Sequence, residues 1–240
     1  LDAIARETAR AVVERTLRGE RPSSVLTQDA VDNAAVVLAA IGGSTNAVIH
    51  LAAVAGRRGL DASLERFDRL WRDVPLVADV EPGGSALIQD FHDAGGYPTL
   101  VRSLLAAGLL HEGARCGDGR TLAEVARDAD EPGGVIRSVA NPVAAAPTMA
   151  AVFGTLAPSG AVIKVAAATP ELLQHEGRAV VFSDYADMRE RLDDPATEIA
   201  AGDVMVIRGI GPAGVPGMPE WGMAPIPKRL LDAGVTDVVR

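Results

Sequence analysis

The chain has 240 residues, 48% of them apolar and 23% charged, with 23 Lys+Arg against 32 Asp+Glu for a formal charge of −9, and a single cysteine, Cys116. One thiol excludes an intramolecular disulfide, a Cys-rich zinc site and, unaided, an iron–sulfur cluster; the acidic balance excludes a basic nucleic-acid or anionic-membrane surface. The apolar fraction suffices for the core of one large domain or two modest ones, built from Ala, Val and Leu because aromatics are only 3%.

Leu1, Ile4, Ala5, Ala11, Val12 and Leu17 recur at helical spacing, which predicts an amphipathic helix over 1–18 that Gly19 stops. Thr27 reads as the N-cap of a second helix, whose run Ala34 to Ile41 is apolar on every face and therefore buried. Gly42-Gly43 ends it, and Ser44-Thr45-Asn46 offers cap chemistry for a third helix, Ala47 to Ala55, that carries His50. Further helices are predicted over 63–71, 84–93 and 99–107. Beyond the acidic, turn-rich joint Asp130-Glu131-Pro132-Gly133-Gly134 come short β-branched runs at 135–136, 150–153, 161–165, 179–182, 204–207 and 235–239, interrupted by one helix from Tyr185 to Leu192. The expectation is an α/β chain with a helix-rich part, 1–133, and a β-rich part, 134–240.

The uncharged stretch Ser138 to Ile163 is long enough to suggest a membrane span, but Pro142, Pro147, Gly154, Pro158 and Gly160 interrupt it. Buried strands and turns are expected there, with no membrane partner. The chain opens without a methionine, a basic n-region or an apolar h-region, so no signal peptide is expected, the location reads as cytoplasmic, and both ends read as cut from a longer chain.

Two segments could carry chemistry. Gly209 to Lys228 is dense in glycine and proline and holds one carboxylate, Glu220. Such a loop suits a hard cation that takes oxygen ligands in fixed geometry, and equally suits a solvated glutamate. Gly42-Gly43-Ser44-Thr45-Asn46 could bind a carboxylate or phosphate through free N–H groups at a helix start, or be a C-cap followed by an N-cap. The four histidines, His50, His92, His111 and His175, lack HExxH spacing and argue against zinc. Cys116 reads as a surface or half-buried thiol, and Lys164 as an edge-facing lysine or a buried functional amine.

The ordered segments Ile41 to Leu51 (IGGSTNAVIHL), Val74 to Ala78, Asp90 to Pro98, Leu109-Leu110-His111, Gly154 to Lys164 and Gly214 to Glu220 (GVPGMPE) resemble the dihydroxy-acid and sugar-acid dehydratase family over nearly the whole chain. Thr169 to Phe182 and Pro219 to Lys228 look more like the sugar-acid branch. Thr155 stands where the family usually has Asn, and Pro147-Thr148 where a glycine pair is expected.

The resemblance implies the C-terminal part of a cluster-bearing α/β domain over 1–133, followed over 134–240 by most of a β-barrel-like, swivelling domain whose closing strands are absent. It implies a hydro-lyase that converts a 2,3-dihydroxy acid, an aldonate such as arabonate or xylonate, to a 2-keto-3-deoxy acid through an enol. Alternatives are the branched-chain amino-acid dehydratase and a non-catalytic scaffold or oligomerisation remnant. The family uses an iron–sulfur cluster on three cysteines, a Mg²⁺ and a serine base. By motif, Glu220 is the Mg²⁺ ligand carried over and Ser44, Thr45 and Asn46 are candidate substrate-binding residues. The cluster cysteines are expected upstream of Leu1 and the serine beyond Arg240, so the segment alone is expected to be inactive. The expected partner is the small-molecule acid, with no nucleic acid, and the assembly a homodimer or homotetramer.

Overall fold

An uninterrupted apolar run such as 34–41 is unstable in water, and it becomes the centre around which the first half of the chain packs. The computed structural model describes residues 2–81, 83–210 and 224–240. Within these, contacts divide the chain into two units, Leu1–Ala167 and Ala168–Arg240.

In the first unit, α1 (Asp2–Leu17) has no buried residue and is tied down by Arg15, which donates to the Gly117 carbonyl and pairs with Glu20 at 2.6 Å. The helix α2 (Gln28–Ala40) starts at Thr27, whose hydroxyl accepts from the Ala30 N–H, and buries Val31, Ala35, Val36, Leu38, Ala39 and Ala40. Against it pack α3 (Asn46–Arg57) and α4 (Leu64–Trp71). Phe67 and Trp71 of α4 are fully buried with ring centroids 5.6 Å apart, and the Trp71 indole N–H donates to the Ala35 carbonyl at 2.9 Å. Burial of an indole requires such an acceptor, and the bond fixes α4 on α2.

Three short helices follow: α5 (Ile88–Asp93), α6 (Gly96–Ala106) and α7 (Leu122–Arg127). The helix expected from residue 84 starts only at Ile88, because the Asp79 carboxylate accepts from the N–H and hydroxyl of Ser85 and holds that segment as a turn. The next begins at Gly96, three residues before Thr99, since Pro98 is tolerated in a first turn. The unpredicted α7 carries a Thr121/Glu124 capping box.

Val74 to Ala78 runs extended and almost fully buried. Leu76 bridges Ala144 and Ala78 bridges Ile136, while the Val77 N–H donates to the Ala40 carbonyl at 2.8 Å. The strand expected at 135–136 is therefore reduced to two isolated bridges of Ile136, one to Ala78 and one back to Gly133 across a tight turn. The uncharged stretch forms an antiparallel hairpin of β1 (Ala150–Val152) and β2 (Ala161–Ile163), paired Ala150 to Ile163. The hairpin is half-buried rather than buried, with Val152 and Phe153 exposed. Thr148 is fully buried, its hydroxyl donating to the Ala39 carbonyl at 2.9 Å. Residues 134–167 thus pack with the helices of the first unit.

In the second unit, β3 (Ala179–Phe182) alternates exposed and buried residues, so Val180 and Phe182 face one core. It pairs in parallel with β4 (Val204–Ile207), through α8 (Tyr185–Arg191), which Asp184 caps by accepting from the Asp187 N–H. The Arg191 guanidinium lies 5.2 Å above the Phe182 ring. The strand expected at 235–239 is reduced to a bridge between Val239 and Val204. The chain before it is used by α9 (Lys228–Asp232) and its left-handed cap at Gly234. Among the described residues there are two separate two-stranded sheets and no closed barrel, and no helix is long and apolar enough to cross a membrane.

Candidate functional site

Gly42 and Gly43 are both used to end α2. Gly42 has φ 57°, and its N–H donates to the Ala39 carbonyl while that of Gly43 donates to Leu38, each at 2.8 Å. This pair of bonds is the Schellman arrangement, which needs a residue free of left-handed strain at the first position. The cap reading of the two glycines therefore holds, and the three residues after them remain available.

Ser44 is exposed, and Thr45 and Asn46 are half-buried. The Ser44 hydroxyl accepts from the Asn46 N–H at 3.2 Å and from its side-chain amide at 3.0 Å. Thr45 precedes α3 without a side-chain cap bond. Two hydroxyls, an amide and uncapped N–H groups at the start of a twelve-residue helix make a neutral, donor-rich surface.

Lys164 lies just past the end of β2 rather than on it, half-buried. Its Cε and Nζ come within 3.7 and 4.0 Å of the position a Cβ on Gly42 would occupy. The fold thus brings the lysine to the turn that carries Ser44, Thr45 and Asn46, although 122 positions separate Gly42 from Lys164 (164 − 42). Burial pushes the Lys164 ammonium down from its ordinary value, and no ion pair reaches it among the described residues.

The other flagged groups lie elsewhere. His50, His92, His111 and His175 are exposed. Cys116 is half-buried, its thiol pushed up first by burial and then by Asp118, against the pull of Arg120, so it is a poor nucleophile. It borders a cleft of about 520 Å³ with Val37, Ile41, Leu51 and Tyr97. That wall offers a polyhydroxylated acid few partners. Thr155 is exposed on the turn joining β1 and β2.

A polar network that sequence reading missed is centred on Asp32. Its carboxylate, almost wholly buried in α2, accepts from Arg66 Nε and Nη2 at 2.7 and 2.6 Å and from the Gln28 amide at 3.0 Å, with His111 at 3.7 Å. Burial alone would raise this carboxyl; Arg66, Gln28 and His111 outweigh it and hold it below the ordinary range. An aspartate two residues before the apolar run Ala34 to Ile41 was the available signal, since a buried charge needs a partner.

Glu220 lies outside the described residues. Among the described residues no group of three His, Cys, Asp or Glu side chains could hold a metal ion, and one thiol does not make a cluster site. Among the described residues, therefore, no set of side chains by itself completes a site for either cofactor.

Two family models match the chain: the N-terminal domain of dihydroxy-acid/6-phosphogluconate dehydratases over residues 1–125 and the C-terminal domain over 134–240. It is 42% identical to a 6-deoxy-6-sulfo-D-gluconate dehydratase of Pseudomonas putida, over 99% of this chain and 41% of that protein. It is 44% identical to an L-arabonate dehydratase of Azospirillum brasilense, over 95% and 40%. A dihydroxy-acid dehydratase of Polaromonas sp. is 39% identical, over 98% and 41%. The chain thus spans about two fifths of the length of these relatives.

Proposed function

Because the chain belongs to the dihydroxy-acid/6-phosphogluconate dehydratase family, we propose that it forms part of a hydro-lyase acting on aldonates such as arabonate or xylonate. The product is a 2-keto-3-deoxy acid. The observation that carries the substrate class is the donor-rich turn Ser44-Thr45-Asn46 beside the half-buried Lys164. Polyhydroxylated acids need many fixed donors, whereas the branched-chain dihydroxy acid would call for an apolar wall at the same place. The names of two relatives, which act on sulfogluconate and arabonate, point the same way.

In this reading Ser44, Thr45 and Asn46 bind substrate hydroxyls, and Glu220 is one Mg²⁺ ligand in the complete enzyme. An iron–sulfur cluster and the base serine come from other parts of that enzyme, a homodimer or homotetramer in the cytoplasm. In the complete enzyme such groups would supply Lewis-acid assistance to the leaving hydroxide. This chain's own share is to orient the acid: the Schellman turn fixes the backbone ahead of Ser44, so the donors are set before substrate arrives.

The test is an assay of the full-length protein on L-arabonate, D-xylonate and dihydroxyisovalerate. Turnover is expected on an aldonate, with Glu220→Gln lowering it about 100-fold and reducing its Mg²⁺ dependence. Turnover confined to dihydroxyisovalerate would overturn the substrate class, and unchanged Mg²⁺ dependence would remove Glu220 from the site.

A further inference from the structure

We infer that the open apolar side of α2, together with the apolar stripe of α1, is a docking surface whose occupant is the rest of this protein's own chain. This rests on the reading of the segment as part of a longer enzyme, and not on the choice of substrate.

A helix that is apolar all round is stable only when every face is covered. Along α2 and its cap, Val31, Ala35, Val36, Leu38, Ala39 and Ala40 are buried, whereas Ala30, Ala34, Val37 and Ile41 are only half-buried. Those four recur three or four positions apart, so they form a single stripe, and all four line the cleft of about 520 Å³. Leu51 of α3 and Cys116 and Gly117 complete its walls, and Arg115 is the only charged residue among those lining it. The second apolar face is on α1. Ile4, Ala5, Thr8, Ala9 and Val12 share one side of that helix, while Arg6, Glu7, Arg10 and Glu14 take the other. A helix gains most of its stability by packing such a face. Yet α1 buries none of its residues among those described, and Ile4 and Val12 are 63% and 59% exposed. Arg15 ties α1 to the Gly117 carbonyl, so helix and cleft meet at one loop.

Two apolar surfaces joined at a loop are more than a soluble protein ordinarily leaves to water. A small molecule in the cleft would leave the α1 stripe bare, so a polypeptide is the occupant that covers both. The relatives supply its source: the matched segment is 41% of the sulfogluconate dehydratase and 40% of the arabonate dehydratase, so more than half of each protein lies outside it. The N-terminal family model covers residues 1–125, which include α1, α2 and the 114–117 wall, so the open side belongs to that domain's own core. A tethered segment meets the surface at an effective concentration of about a millimolar, an advantage that a second copy, arriving by diffusion, lacks.

The experiment uses the full-length protein with the photo-cross-linking residue p-benzoylphenylalanine placed, one at a time, at Leu51 and at Val12. Both should cross-link within one chain, at monomer mass, to peptides outside these 240 residues. Unmodified protein gives a second measurement that needs no substitution: in hydrogen exchange, the amides of Arg6 to Thr16 should be protected at least about 100-fold, since a covered helix opens only with its packing. Cross-links at dimer mass would assign the surface to a second copy and overturn the inference. Cross-links confined to these 240 residues, or weaker protection of α1, overturn it as well. Turnover is assayed separately, so the expected cross-links in a protein that dehydrates no aldonate would refute the aldonate reading and still support the docking.

Discussion

The two units differ in what holds them together. In the first, Phe67, Trp71, Leu100, Leu104 and Ile136 are essentially inaccessible and belong to one continuous cluster around α2. In the second, Phe182 and Met188 are the only fully inaccessible large side chains among the described residues, in a cluster that adds Val180, Leu192, Ile199, Met205, Ala224 and Val238. The second unit leans instead on polar ties: Arg178 to Asp203 at 2.7 Å, and Arg229 to the Thr197 and Ile199 carbonyls at 2.6 and 3.1 Å. The Arg178 guanidinium is exposed, and a tie of that kind adds little stability. The proposed substrate-binding turn, Ser44-Thr45-Asn46, lies with Lys164 in the first unit, whose larger apolar core would hold its donors still.

The largest expected effect tests the core of the first unit. Trp71→Ala removes a fully buried indole and its bond to Ala35, and should cost about 4 kcal/mol in urea unfolding. Phe182→Ala should cost somewhat less, about 3 kcal/mol, because a two-stranded sheet can close part of the cavity; hydrogen exchange should show lost protection over Val180–Phe182 and Val204–Ile207. Equal costs for the two substitutions would erase the contrast between the units. Arg66→Met should cost about 2 kcal/mol at neutral pH, since it strands the buried Asp32 carboxylate.

The same pair sets a pH dependence. The folded-state pKa of Asp32 lies below its ordinary value. Its contribution is therefore present above the ordinary carboxylate range and is lost as pH falls through the folded value, below about pH 4. In Arg66→Met, burial acts with less opposition, so the loss should begin at higher pH; acid titration of unfolding by circular dichroism in both proteins checks it.

Much of this was legible in the sequence. Thr27 and Ser63 cap α2 and α4 by local bonds three residues long, and the Gly42-Gly43 stop follows from conformational freedom at one position. Both are short-range and need no knowledge of the rest of the chain. The Thr-x-x-Glu box of α7 was equally readable, at Thr121 and Glu124. The edges of the β runs were less so, because a strand exists only where a partner lies beside it: 135–136 and 235–239 have strand composition and find only isolated bridges.

The sequence by itself determined the family, the helical caps and the neutral donors Ser44, Thr45 and Asn46, since each is written in adjacent residues. Only the tertiary structure decided that Lys164 stands at that turn and that Asp32 is paired with Arg66. Residues distant along the chain meet only through packing, and whether a lysine is solvated or half-buried depends on that packing alone.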